Sequence, residues 1–167
     1  MTKDIFLNFQ QAIVDSDPNS HKSILREHIV EHLFIGAALK FLWQKGLNDV
    51  EVLRPEFDVH GYDLVMARGE ILRHIQLKTG TTNKPGDVSV PLALAEKRSG
   101  CVLWIGITKD LDIHSYYWFG GAPGRRLPPI AQYDPPLRST HNKEGIRPLR
   151  NNHRLVPKDE FRPLAVC

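Results

Sequence analysis

The chain has 167 residues, 41% of them hydrophobic and 25% charged, with a net charge of +3. That length suits one domain with a core, and the fractions are those of an ordinary globular protein. They exclude a membrane span, since no apolar run reaches the roughly 18 residues one needs.

Met1 to Phe6 lacks the basic, apolar and small-residue regions of a signal peptide, so a cytoplasmic location is expected. Cys101 opens an apolar run and is expected to be buried, whereas Cys167 is the last residue. No structural disulfide is expected between them. Charge is uneven. Residues 1–122 hold 13 Lys/Arg and 15 Asp/Glu, and residues 123–167 hold 9 and 4. A basic, arginine-rich segment is an electrostatic footprint of phosphate binding, or else a solvated surface.

In chain order, residues 4–15 read as a short helix, broken at Asp17-Pro18. Ser20 or Asn19 caps a long helix over 20–45 that stops at Gly46. Its apolar residues Ile24, Leu25, Val30, Phe34, Ala37, Ala38, Phe41 and Leu42 recur at three- and four-residue spacing. Strands follow at 50–53, 62–66 and 71–78, the last two joined by a turn at Arg68-Gly69-Glu70. Residues 79–87 read as a polar loop and 92–98 as a second helix ended by Gly100. Cys101 to Ile107 is almost wholly apolar and predicts a central strand buried on both faces. His114 to Phe119 predicts another strand. Beyond Gly120 the pattern weakens, with a strand expected at 154–156 and a short helix at 157–164. The expected organisation is a single domain over 1–167: an N-terminal helix (1–19), an α/β core with a mixed sheet (20–119) and a basic C-terminal extension (120–167).

The chemistry concentrates between Gly61 and Lys78. Asp63 opens one strand, and Gln76 and Lys78, two apart on the next, share a face. A carboxylate, an amide and an ammonium at one sheet edge suit a divalent metal and a water beside a phosphodiester. Mg²⁺ keeps several waters, so one or two carboxylates suffice. Asp63 is the natural ligand, with the Leu77 carbonyl and Gln76 as neutral ones. Lys78 would serve the attacking water. A further carboxylate is expected from the long helix, where Glu27 and Glu31 lie four apart on the line continued by Ile35 and Ala38. Glu31 is preferred as the deeper; pairing with Arg26, Arg54 or Lys78 is the structural alternative for both.

Glu in a first helix, then Gly61-x-Asp63, then Gln76-x-Lys78, resembles the PD-(D/E)xK, or restriction-endonuclease-like, nuclease superfamily. Gln in place of the acidic residue is similar to the Mrr-type and Holliday-junction-resolvase-like branches. The resemblance implies an αβββαβ core with a mixed sheet flanked by helices, covering roughly the first two-thirds of the chain. It implies Asp63 as metal ligand, Gln76 at the second motif position, Lys78 as catalytic lysine and Glu31 as helix glutamate. The cofactor would be Mg²⁺ or Mn²⁺, the activity endonucleolytic and a homodimer plausible. The chain departs from the pattern in the neutral Gln76 and in a Glu31-to-Gly46 spacing about one turn longer.

Other candidates are weaker. His28 and His32 have a zinc-compatible spacing but no third ligand, so zinc is not expected. His60 and Asp58 are expected at a polar strand edge. Thr79, Thr81 and Lys84 sit in the loop after Lys78 and are candidate backbone contacts. Arg125, Arg126, Arg138, Lys143, Arg147, Arg150 and Arg154 are candidate phosphate contacts, and one aromatic of 116–119 could stack on a base. The expectation is a metal-dependent nuclease acting on nucleic acid, with DNA preferred. Two alternatives stay open: a nucleic-acid-binding protein of the same fold without cleavage, and a protein-interaction module of a defence or toxin locus.

Overall fold

The computed structural model describes residues 18–57 and 60–165. The helix expected over 4–15 lies outside them, as do Asp58 and Cys167.

The long helix α1 spans Pro18–Gln44. Proline is tolerated in a first helical turn, where its missing N–H has no partner to lose. Gly46 ends the helix with φ +73°. Its N–H bonds to the Trp43 carbonyl at 2.9 Å, and the Leu47 N–H reaches back to Leu42 at 2.9 Å. Those two bonds are the glycine-terminated cap that satisfies a helix's last carbonyls.

Strands β1 (Glu51–Leu53), β2 (Leu64–Arg68) and β3 (Ile71–Gly80) form an antiparallel meander. Gly69, at φ +55°, makes the β2–β3 turn. The chain then runs through β4 (Val88–Pro91) and the single turn α2 (Leu92–Ala95) into β5 (Gly100–Ile107), parallel to β3. β6 (Ile113–Gly120) returns antiparallel on β5. β7 (His153–Val156) pairs with β4, and β8 (Arg162–Leu164) joins the outer edge of β6. The main sheet is mixed and six-stranded, in the order β1-β2-β3-β5-β6-β8. The α/β, restriction-endonuclease-like architecture expected from the sequence is therefore present.

Three local expectations are corrected. The helix expected over 92–98 is one turn, because the chain must double back at once: Ser99 adopts φ 58°. A Cβ on Gly100 would lie 2.6 Å from the Leu94 carbonyl oxygen, so the turn leaves no room for more helix. Part of the loop expected over 79–87 is strand, since β3 continues through Thr79 and Gly80 beside Ile105 and Gly106. The helix expected over 157–164 is a 3-10 turn at Lys158–Glu160 followed by β8. Pro163 lacks the N–H a helix needs but is tolerated on an edge strand.

The sheet buries both faces. Val30 of α1 packs with Leu64, Ile75, Leu103 and Ile105 on one side. Val102, Trp104 and Phe119 pack with Val88, Val90, Leu94 and Val156 on the other. Every residue of β5 is buried, as its unbroken apolar run predicts. Cys101 is fully buried, and burial pushes its thiol up to about 12. No helix among the described residues is long and apolar enough to cross a membrane.

Candidate active site

The site begins where the β2–β3 ladder stops. Its last regular pair is Leu64 with Ile75. One step further, the Asp63 N–H bonds to the Ile75 carbonyl at 2.9 Å. The Leu77 N–H donates to the Asp63 carboxylate, Oδ2, at 2.6 Å. Asp63 thus precedes β2 rather than opening it, and its side chain takes over a bond that a backbone carbonyl makes in a regular ladder. From Gln76 to Gly80, among the described residues, β3 pairs with β5 alone. A strand residue's N–H and C=O point to the same side, so the Leu77 carbonyl faces the edge that holds Asp63.

Gly61 makes this approach possible. It has φ +70°, and a Cβ there would lie 2.1 Å from Pro91 Cγ. Only glycine meets both conditions without strain. The Gly61-x-Asp63 spacing is therefore a backbone requirement: the chain passes Pro91 closely, turns and presents Asp63 to β3.

A cavity of about 380 Å³ opens at this edge. The strands contribute Asp63, Leu77, Lys78 and Thr79, and α1 contributes Arg26, Glu27, His28 and Glu31. Three carboxylates and the lysine thus line one concavity. Among the described residues, no three His, Cys, Asp or Glu side chains stand close enough to enclose a metal by themselves.

Glu31 has a second engagement. Its carboxylate accepts from Arg54 Nε at 2.6 Å, and its side chain is 13% exposed. His28 Nδ1 is 3.8 Å from the same carboxylate. This is the pairing with Arg54 that the sequence left open. Arg54 also donates to His32 Nε2 at 3.2 Å, while His32 Nδ1 bonds to the His28 carbonyl at 2.7 Å. Both ring nitrogens of His32 are thus engaged by neighbours.

Gln76 does not line the cavity. It is 7% exposed, and its Oε1 is buried with no hydrogen-bond donor among the described residues. Such an atom costs free energy unless something else satisfies it.

The candidate nucleic-acid contacts divide. Of them, only Thr79 lines the cavity. Thr81 is exposed outside it, and Lys84 lines another cavity with Lys158. The Arg125 carbonyl accepts from Ser99 N–H at 2.7 Å, just before β5 and level with His74, four residues along β3 from Lys78. Arg126 pairs with Glu96 at 2.7 Å. Arg154 is turned onto the carbonyls of Asn151 and His153 at 2.8 and 2.7 Å. Arg150 and Arg138 line a separate cavity with Ser89 and Asn152, and Arg147 is exposed in the loop beside them. The sequence reading passed over Arg26 and His28 as wall residues; their position beside Glu27 and Glu31 on one helix was the available signal. It also missed Lys158, which lies too far along the chain from Lys84 for any local pattern to join them.

Residues 38–119 match the family model described as PD-(D/E)XK endonuclease. No curated protein and no solved structure matches the chain. The matched segment contains Asp63, Gln76 and Lys78, while Glu31 and the basic stretch beyond residue 122 lie outside it.

Proposed function

The chain belongs to the PD-(D/E)XK endonuclease superfamily through residues 38–119, and on that premise we propose that it is a divalent-metal-dependent nuclease cutting phosphodiester bonds in DNA. The observation that carries the proposal is the Asp63–Leu77 junction. It puts a carboxylate, a backbone carbonyl and Lys78 on one open strand edge, inside a cavity shared with Glu27 and Glu31.

The residues fit a hard divalent cation. Mg²⁺ accepts an incomplete set of protein oxygens and fills the rest with water and substrate phosphate. Asp63 and the Leu77 carbonyl would hold the ion, with Glu31 acting from the helix. The Oε1 of Gln76, without a donor among the described residues, is a further acceptor next to Leu77 in the chain. When bound, the ion supplies charge neutralisation at the phosphate and a water of lowered pKa.

The chain's own residues do the remainder. Asp63 is fixed by the Leu77 N–H, so little reorganisation is needed as charge develops. Lys78 orients the attacking water and donates to the phosphate oxygen that gains charge. Glu27, Glu31 and Asp63 line the same cavity. Arg54 pairs with the Glu31 carboxylate.

A second reading is favoured by one observation. Arg54 already occupies the Glu31 carboxylate, and Gln76 is neutral, which suits a protein that binds nucleic acid without cutting it. One experiment separates the two. Labelled DNA and RNA substrates, single-stranded, duplex and branched, are incubated with Mg²⁺ or Mn²⁺ and wild type, Asp63→Ala or Lys78→Ala. Metal-dependent cutting lost in both variants is the expected result. Binding without cutting in all three proteins rejects the nuclease.

A further inference from the structure

A row of aligned residues crosses the sheet from the proposed site. Lys78 stands level with Trp104, Trp104 with Tyr117, and Tyr117 with Pro163. Residues at matched positions on neighbouring strands share a face. Strands lie about 4.8 Å apart, so Tyr117 is about 10 Å from Lys78 along the row. Between them the Trp104 ring lies against β3: a Cβ on Gly80 would come within 2.7 Å of it. Trp104 meets Tyr117 edge to face, with centroids 5.7 Å apart.

The row ends in a second cavity, of about 550 Å³. Tyr117, Phe161 and Pro163 give it an apolar wall, and Lys84 and Lys158 stand around it. The two lysines come from remote parts of the chain but are tied together. The Asp87 carboxylate accepts the Lys158 N–H at 3.1 Å, fastening the β3–β4 loop to the segment before β8. Within that loop the Thr82 hydroxyl donates to the Lys84 carbonyl at 2.6 Å. One acid, Asp159, also borders the cavity.

We propose that this cavity takes one unpaired nucleotide of the strand being cut, its base against Tyr117 and its phosphates at Lys84 and Lys158. The proposal rests on the nuclease reading and adds a substrate class: nucleic acid with a single-stranded stretch beside the cut. The volume is that of a small-ligand site. Aromatic rings accept any base by stacking, and ammonium groups track the backbone, which is the general chemistry of single-strand binding. A base held in a duplex stack does not enter.

The test is fluorescence anisotropy of the full chain with a labelled single-stranded oligodeoxynucleotide and with its duplex, in EDTA, alongside a cleavage assay in Mg²⁺. Wild type is compared with Tyr117→Leu and with the double variant Lys84→Glu, Lys158→Glu. The expected result is tighter binding of the single strand by wild type. Tyr117→Leu weakens it about tenfold. The double variant weakens it further, with a salt dependence lower by about 1.4 in slope, the value for two lost single-strand phosphate contacts. Both lysines are exposed, so the double variant decides the matter if Tyr117→Leu does not fold. Unchanged single-strand binding in the double variant overturns the subsite; if wild type still cuts, the nuclease stands. Weakened binding without any cutting by wild type keeps the subsite and removes the nuclease. No binding by wild type overturns the subsite.

Discussion

The Asp63 carboxylate accepts the Leu77 N–H at 2.6 Å, so one side chain both ends the β2–β3 ladder and stands at the proposed reaction centre. Two substitutions separate these duties. Asp63→Asn keeps an acceptor for Leu77 and is expected to fold with nearly unchanged thermal stability. Asp63→Ala leaves that N–H without its partner and should cost about 1–3 kcal/mol. Both should lose metal-dependent cleavage. Thermal melts with cleavage rates on the same samples check this; equal stability in the two variants would reject the bond's structural share.

Gln76 carries a buried oxygen with no donor among the described residues. An unsatisfied buried acceptor costs about 1–3 kcal/mol. Gln76→Leu should therefore be as stable as wild type, or more so, in EDTA. It should also lose part of the rise in melting temperature that Mn²⁺ gives wild type. A variant that melts lower in EDTA and responds fully to Mn²⁺ would remove Gln76 from the proposed metal site.

Glu31 and Glu27 line the same cavity, but Glu31 is the one held by Arg54. Arg54 is about half exposed, and such a pair contributes roughly 0.2–1 kcal/mol to stability. Glu31→Gln is expected to lower kcat/KM more than Arg54→Ala does, while Glu27→Gln stays within about threefold of wild type. Equal losses in Glu31→Gln, Arg54→Ala and the double variant would make Glu31 a support for Arg54 and nothing more.

Gly61 is constrained twice, by its positive φ and by Pro91. Gly61→Ala should destabilise by about 2–5 kcal/mol, since left-handed backbone costs about 1–2 kcal/mol and overpacking about 1–3 kcal/mol. Urea unfolding measures it. A loss below about 1 kcal/mol would mean that the chain at Pro91 relaxes easily.

Cys101 is buried in β5, and its thiol is pushed up to about 12 by desolvation. Only the thiolate reacts, so a Cys167→Ser protein should resist alkylation at pH 8 when native and react on unfolding in urea. Fast labelling of the native variant would show that the centre of the sheet opens.

Much of this protein was legible in the sequence because the signals were local. The 3- and 4-residue apolar spacing and Gly46 gave α1, and alternation around a glycine turn gave β2 and β3. The unbroken run from Cys101 to Ile107 gave the buried centre, and Gly61-x-Asp63 with Gln76-x-Lys78 gave the family. Each of these depends on residues within one or two turns or strands of each other.

What tertiary structure decided depends on contacts between distant segments. Steric return of the chain at Ser99 and Gly100 cut α2 to one turn. The unpaired side of β6 drew Arg162–Leu164 into a strand where local composition suggested a helix. Arg54, 23 residues away, claimed Glu31. The ladder's end exchanged a backbone carbonyl for the Asp63 side chain. Sequence by itself determined which residues are candidates for the chemistry, since residue type and short spacing are written there. Which of those residues share a cavity, and which are spent on neighbours, depended on packing across the sheet, where the competing partners are separated in the chain and adjacent only in the fold.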